Sequence, residues 1–205
     1  MADTAAPVAD GDADLSRILT WPNGITVVRL ALIPVYVWLL FGTPHQVLAG
    51  LLLGGLGITD WIDGYLARRL HQVTTLGKIL DPVADRALVF TAVITVAIFG
   101  AVPWWFAIAT LVREVVVSGA VLLLASLGAA RIDVVWLGKA GTFGLMTAYP
   151  LLLMAHGPAT WQSVLYDIAW PIGWIGLLLA WMATVAYVRP ARTALANGRA
   201  GRGLG

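Results

Sequence analysis

Apolar residues in this chain come in long runs that cover every side of a helix, and polar residues gather in the gaps between the runs. Six stretches stand out, at 25–41, 47–65, 83–99, 104–125, 136–155 and 165–188. A bilayer core about 30 Å thick takes about 20 apolar residues per helix, so each stretch is read as a membrane-crossing helix. Breakers fall between them: Gly42-Thr43-Pro44, Gly100-Ala101-Val102-Pro103 and His156-Gly157-Pro158. Each is an expected turn, because the residue before a proline is biased away from helix. A soluble helical protein would need polar faces on these helices, and none is present. The pattern predicts an all-α integral membrane protein of six transmembrane helices.

Composition agrees. Of 205 residues, 60% are hydrophobic and 12% are charged, against roughly 25% charged in soluble domains. Most of the surface of such a chain cannot face water, and mean hydropathy is +0.84. A formal net charge of +2, with no basic stripe on a polar face, gives no reason to expect a nucleic-acid partner. Without cysteine, disulfides, thiolate metal sites and cysteine nucleophiles are excluded.

The basic residues set the expected orientation. None of the 13 Lys and Arg lies near 42–46, 100–103 or 156–164. Nine of them sit in the alternate connections, as Arg68, Arg69 and Lys78, then Arg131 and Lys139, then Arg189, Arg192, Arg199 and Arg202. Cytoplasmic loops carry the excess of Lys and Arg, so both termini are expected in the cytoplasm. Trp21, Trp104, Trp105, Trp136 and Trp161 fall near span ends, at headgroup level. Residues 1–16, with Asp3, Asp10, Asp12 and Asp14, read as a disordered acidic tail without the pattern of a secretory signal. Residues 17–189 form the six-helix domain, and 190–205 a basic Gly/Arg-rich tail. Gly50/Gly54 and Gly138/Gly141/Gly144 are spaced for close helix approach, a packing signal.

Charge inside the spans is scarce, which makes its clustering informative. Asp60, Asp63, Asp81 and Asp85 fall within 26 positions of each other. Carboxylates at membrane depth are costly and are functional candidates by default. Spacings of three and four put each pair on one helical face. Four carboxylates together repel unless cations lie between them, and hard divalent ions such as Mg²⁺ or Mn²⁺ suit an all-oxygen set. Two such ions suit phosphoryl chemistry. The bland alternative pairs these aspartates with Arg68, Arg69, Lys78 and Arg86 or uses them as helix caps.

The run Asp60-Trp-Ile-Asp63-Gly64-Tyr-Leu-Ala67-Arg68, then eight residues, then Gly77-Lys-Ile-Leu-Asp81-Pro-Val-Ala-Asp85 resembles the signature of the CDP-alcohol phosphotransferase family, D-x2-D-G-x2-A-R-x8-G-x3-D-x3-D. Every defining position is present with its gap. The resemblance implies that Asp60, Asp63, Asp81 and Asp85 hold two divalent cations, Mg²⁺ or Mn²⁺, that grip the diphosphate of CDP-diacylglycerol. It implies that Gly64, Ala67, Arg68 and Gly77 line the cytidine and phosphate pocket. Asp85 looks like the base that takes the acceptor's hydroxyl proton, although neighbouring cations would weaken it, so base and metal-ligand roles both stand. The implied place is the cytoplasmic membrane, with the site toward the cytoplasmic face. Homodimers are common in the family, and nothing in the sequence specifies an interface.

Remaining charges bear on the acceptor, a phospholipid or a polyol phosphate. Arg113 and Lys139 are candidates to hold its phosphate; the alternative for Arg113 and Glu114 is structural pairing with neighbouring helices. Adjacent on one helix, these two are not expected to satisfy each other. The opening Pro22-Asn23…Arg29 and the run Arg113-Glu114-Val-Val-Val-Ser118 resemble phosphatidylglycerophosphate synthases, which use glycerol 3-phosphate. The stretch after Ser118 lacks the second Arg-Glu pair of those enzymes. Leu137-Gly-Lys-Ala-Gly-Thr-Phe-Gly-Leu-Met146 with Tyr149-Pro-Leu-Leu-Leu153 resembles more closely the cardiolipin synthases of the CDP-alcohol type, which use phosphatidylglycerol. A cation transporter is the reading from another class; its carboxylates belong at the midplane beside broken helices or repeats, which this chain does not display.

Overall fold

The computed structural model describes residues 21–70, 75–126, 136–156 and 160–186, with side chains described over 24–59, 83–122, 136–156 and 160–186. The two expected tails lie outside the described residues. Six helices are present: α1 (Trp21–Gly42), α2 (Gln46–Leu70), α3 (Thr75–Phe99), α4 (Trp104–Ser126), α5 (Trp136–Met154) and α6 (Thr160–Ala186). Each of the six apolar stretches corresponds to one of them. Boundaries differ where charge begins: α2 runs five residues past the expected end, and α3 starts eight residues before the expected start. Backbone hydrogen bonding carries a helix on through polar sequence once it has nucleated, so hydropathy marks the apolar part of a helix and not its length.

Among the described residues, three helical segments are long and apolar enough to cross a membrane, Gly24–Gly42, Trp104–Leu122 and Thr160–Ala186, with a shorter apolar stretch at Gln46–Thr59. Outward faces are apolar. Val27, Trp38, Leu51, Ile98, Leu122, Phe143, Trp174 and Val185 are all exposed, a surface that suits lipid chains and not water.

The helices form a ring in the order α1, α3, α4, α6, α5, α2, with α3 and α5 also touching across it. Helix α1 shows how one side is chosen. Thr26, Arg29, Ile33, Tyr36 and Leu40 are buried, at alternating spacings of three and four that keep them on one face. The Tyr36 hydroxyl lies 2.8 Å from Thr95 Oγ1 on α3. Thr95 already donates its single hydroxyl proton to the Thr91 carbonyl at 2.6 Å, so Tyr36 is the donor. Opposite, Phe106 is fully buried among Tyr149, Trp170 and Trp174, with ring centroids 5.9, 5.4 and 6.1 Å away.

The expected turn at Gly100 has a specific form. Gly100 N–H donates to the Ala97 carbonyl and Ala101 N–H to the Val96 carbonyl, at 3.0 and 3.1 Å, with Gly100 at φ +88°. This paired arrangement ends a helix on a left-handed residue, which glycine adopts without strain. Pro103 then precedes α4.

The small-residue stripes pack as their spacing predicts. Gly50 and Gly54 face Pro150 and Met154 of α5, and Gly141 and Gly144 face Gly176 and Ala180 of α6. A Cβ on Gly141 would lie 2.5 Å from the Ala180 nitrogen and 2.9 Å from the Gly176 carbonyl oxygen. Both are backbone atoms that cannot swing aside. Gly141→Ala is therefore expected to lower thermal stability by about 1–3 kcal/mol. Gly119→Ala meets nothing within 4 Å and should be neutral, or stabilising by up to about 1 kcal/mol. Thermal unfolding in detergent, followed by tryptophan fluorescence, compares the two.

Candidate active site

The motif occupies the end of α2 and the start of α3. Asp60, Asp63, Gly64, Ala67 and Arg68 lie in the last three turns of α2, and Gly77, Asp81 and Asp85 in the first three turns of α3. Helical register puts Asp60 and Asp63 on one face of α2, and Asp81 and Asp85 on one face of α3. Of these residues, Asp85 is the one whose side chain falls within the described set.

Asp85 is held from inside the bundle. Arg29 Nη1 donates to Asp85 Oδ1 at 3.0 Å; the Arg29 side chain is 1% exposed and that of Asp85 38%. The pair joins the buried stripe of α1 to the motif on α3. Among the partners weighed from sequence (Arg68, Arg69, Lys78 and Arg86), Arg29 does not appear. It was legible as a charge inside the first span, one turn from Thr26 on the same face, but its partner is 56 positions away and leaves no local trace.

A second cluster ties α3 to α4 and α5. Arg86 Nη1 donates to Glu114 Oε1 at 2.5 Å, and Arg113 Nη1 donates to Glu114 Oε2 at 2.9 Å. Arg113 Nη1 also reaches Thr142 Oγ1 on α5 at 3.3 Å. Two expectations are corrected. Arg86 pairs with Glu114, and the adjacent Arg113 and Glu114 do satisfy each other. A guanidinium on a long stem can curl around the helix, and once both groups are buried an unmet charge costs more than that conformation. The alternative of pairing with neighbouring helices also holds, through Arg86 and Thr142.

Arg113, Glu114, Thr142, Thr110 and Tyr149 form the polar part of a cavity of about 40 Å³ otherwise lined by apolar side chains of α2, α3 and α5. Tyr149 donates to Thr110 Oγ1 at 3.0 Å, closing that wall. The Arg113 Nε–H is buried and meets no hydrogen-bond partner among the described residues. Lys139 is exposed, one turn before Thr142 on α5.

These residues suit the ions that the sequence motif implies. The donor set is oxygen only, and Asp85 is accessible from outside while Arg29 offsets its charge from within.

Glu114 is the one acid between two arginines in the second cluster, so its loss should be the more damaging. Glu114→Ala is expected to cost about 3 kcal/mol or more, because it strands the buried Arg113. Arg86→Ala removes a guanidinium that is 46% exposed and should cost about 1 kcal/mol or less. Thermal unfolding of the two variants gives the ranking, and an equal or reversed order would refute it.

Comparison with known proteins gives the family. The family model described as CDP-alcohol phosphatidyltransferase matches residues 19–189. A Streptomyces coelicolor protein named cardiolipin synthase (CMP-forming) is 37% identical over 177 residues, covering 84% of this chain and 82% of its own length. A Mycobacterium tuberculosis protein bearing a cardiolipin synthase name is 38% identical over 155 residues, covering 76% of this chain and 74% of its own. The CDP-diacylglycerol–glycerol-3-phosphate 3-phosphatidyltransferase of Bacillus subtilis is 34% identical over 178 residues, covering 75% of this chain and 91% of its own. With a complete motif on two helices and most of the chain matched, this protein is a member of the CDP-alcohol phosphatidyltransferase family.

Proposed function

We propose that this protein transfers the phosphatidyl group of CDP-diacylglycerol to the hydroxyl of phosphatidylglycerol, releasing CMP and forming cardiolipin. The observation that carries this reading is an intact motif in a chain that shares 37% identity with a cardiolipin synthase over 84% of its length. Glycerol 3-phosphate as acceptor is the second reading, favoured by the Arg113-Glu114 run and by the Bacillus subtilis relative.

In this reading Asp60, Asp63, Asp81 and Asp85 hold two divalent cations. When bound, the cations neutralise the donor's diphosphate and stabilise the charge on departing CMP. Gly64, Ala67, Arg68 and Gly77 line the cytidine and phosphate pocket. Asp85 accepts the proton of the acceptor hydroxyl; that oxygen bonds to the lipid-side phosphorus as the bond from phosphorus to the CMP oxygen breaks. Arg113 and Lys139 hold the phosphate of the acceptor. The unsatisfied Nε–H of Arg113 supports this role, since a buried donor without a partner costs about 1–3 kcal/mol until an anion or a water meets it. Glu114 holds the Arg113 guanidinium at the cavity wall.

The reading includes the membrane arrangement. All six helices cross the bilayer of the cytoplasmic membrane, both termini lie in the cytoplasm, and the motif faces that side. The alternation of Lys and Arg between connections supports it. Cysteines placed in the cysteine-free chain at 44, 103 and 158 should label from outside intact cells, and one at position 72 should not.

The deciding assay supplies CDP-diacylglycerol, Mg²⁺ or Mn²⁺, and either phosphatidylglycerol or glycerol 3-phosphate, and follows CMP. Release with phosphatidylglycerol at about tenfold or more the rate with glycerol 3-phosphate is expected, a preference worth about 1.4 kcal/mol. No CMP with any acceptor overturns the assignment. Asp85→Asn should lower the rate by about 100-fold or more while largely sparing CDP-lipid binding; parallel loss of binding makes Asp85 chiefly a metal ligand. Lys139→Gln should raise the acceptor's KM more than that of CDP-diacylglycerol, and equal effects would remove Lys139 from the acceptor pocket.

A further inference from the structure

We propose that Arg29 is a positioning residue: from the buried face of α1 it fixes the orientation of the Asp85 carboxylate on α3. The inference rests on the reading above, in which Asp85 meets the acceptor and the cations.

Three observations carry it. Arg29 is among the largest fully buried side chains of the described residues, in a stripe otherwise made of Thr26, Ile33, Tyr36 and Leu40. A guanidinium there is expensive, and the stripe could have been apolar throughout. Its contact to Asp85 Oδ1 is 3.0 Å, within the range of a charge-assisted hydrogen bond.

The pair is also asymmetric. Arg29 is 1% exposed, while its partner is 38% exposed. Here the buried member holds the accessible one, so the carboxylate is presented outward. The Tyr36–Thr95 hydrogen bond is a second α1–α3 link, seven residues further along α1 and ten along α3. It fixes the height of α1 against α3 and leaves Arg29 little freedom to follow a carboxylate that moves. A guanidinium also holds the plane of a carboxylate in a way that a rotating ammonium does not.

The consequence is separable from helix packing. A misdirected Asp85 slows the chemical step while the substrates still bind. Tyr36→Phe removes a separate α1–α3 hydrogen bond and touches none of the proposed machinery, so it reports what packing alone contributes. The experiment measures CMP release, both KM values, and thermal unfolding with and without Mn²⁺ for the wild type, Arg29→Gln, Arg29→Lys and Tyr36→Phe. Wild-type CMP release tests the functional reading itself, and the ratios of the variants to the wild type test Arg29.

Arg29→Gln is expected to lower kcat by about 100-fold with both KM values within about threefold, and to retain the rise in Tm that Mn²⁺ produces. Arg29→Lys, keeping the charge but losing the fork, should recover about tenfold of that loss. Tyr36→Phe should lower Tm and leave kcat within about twofold of wild type below its unfolding range. If Arg29→Gln does not fold, Arg29→Lys decides by its tenfold deficit. Wild-type kcat in a folded Arg29 variant overturns the proposal. So does a loss of the Mn²⁺ effect on Tm in Arg29→Gln, which would make Arg29 necessary for ion binding, or an equal kcat loss in Tyr36→Phe, which would make the effect one of packing.

Discussion

A charge buried where water cannot reach it must meet a partner of opposite sign, and the described part of this bundle is arranged around that requirement. Arg29 meets Asp85, and Glu114 meets both Arg86 and Arg113. These contacts cross from α1 to α3 and from α3 to α4, with Thr142 extending the second cluster to α5. Apolar packing between helices is undirected, and in lipid it has little hydrophobic drive. The ion pairs between helices, Arg29–Asp85 and Arg86–Glu114, supply direction: each is satisfied at one height and one rotation of its two helices. Asp85 and Arg86, neighbours on α3, point their pairings to opposite sides, so this one turn of helix is clamped between α1 and α4.

That clamp explains how a lipid enzyme can keep charged groups close to hydrocarbon. The expensive groups are not dispersed through the bundle. They are concentrated around one turn of α3, with the cavity lined by Arg113 and Glu114 on one side and the motif carboxylate on the other. Hydroxyl pairs, Tyr36 with Thr95 and Tyr149 with Thr110, satisfy the polar groups further along the same helices. Above them the interior is apolar, closed by the aromatic group around Phe106.

Much of this was legible in the chain. Each long apolar run is a helix, the Gly100 turn ends α3 where a glycine before a proline predicts, and the small-residue stripes meet the helices they were spaced to meet. The motif, with four acids at helical intervals, pointed to the family that the comparison shows. Two kinds of information were hidden, for physical reasons. The ends of α2 and α3 were misplaced because a helix persists through charge when its backbone bonds are made, whereas hydropathy falls at the first carboxylate. The ion pairs were hidden because a partner on another helix leaves no trace in local spacing, and because the helix-face rule speaks against neighbours pairing. In the folded chain Asp85 instead takes an arginine from another helix, and Arg113 and Glu114 bond across a spacing that the rule for helix faces disfavours.

The seam between α5 and α6 has a different kind of consequence. There backbone lies against backbone, and Gly141, Gly144 and Gly176 leave no side chain to reshape. Such a surface tolerates little change, because an added side chain meets backbone that cannot move aside. The opposite holds for the lipid-facing sides of α1 and α4, where one apolar residue serves nearly as well as another. Exchange is therefore tolerated on the outer faces, whereas at the polar wall formed by Arg113, Glu114 and Thr142 it disturbs a hydrogen-bonded set.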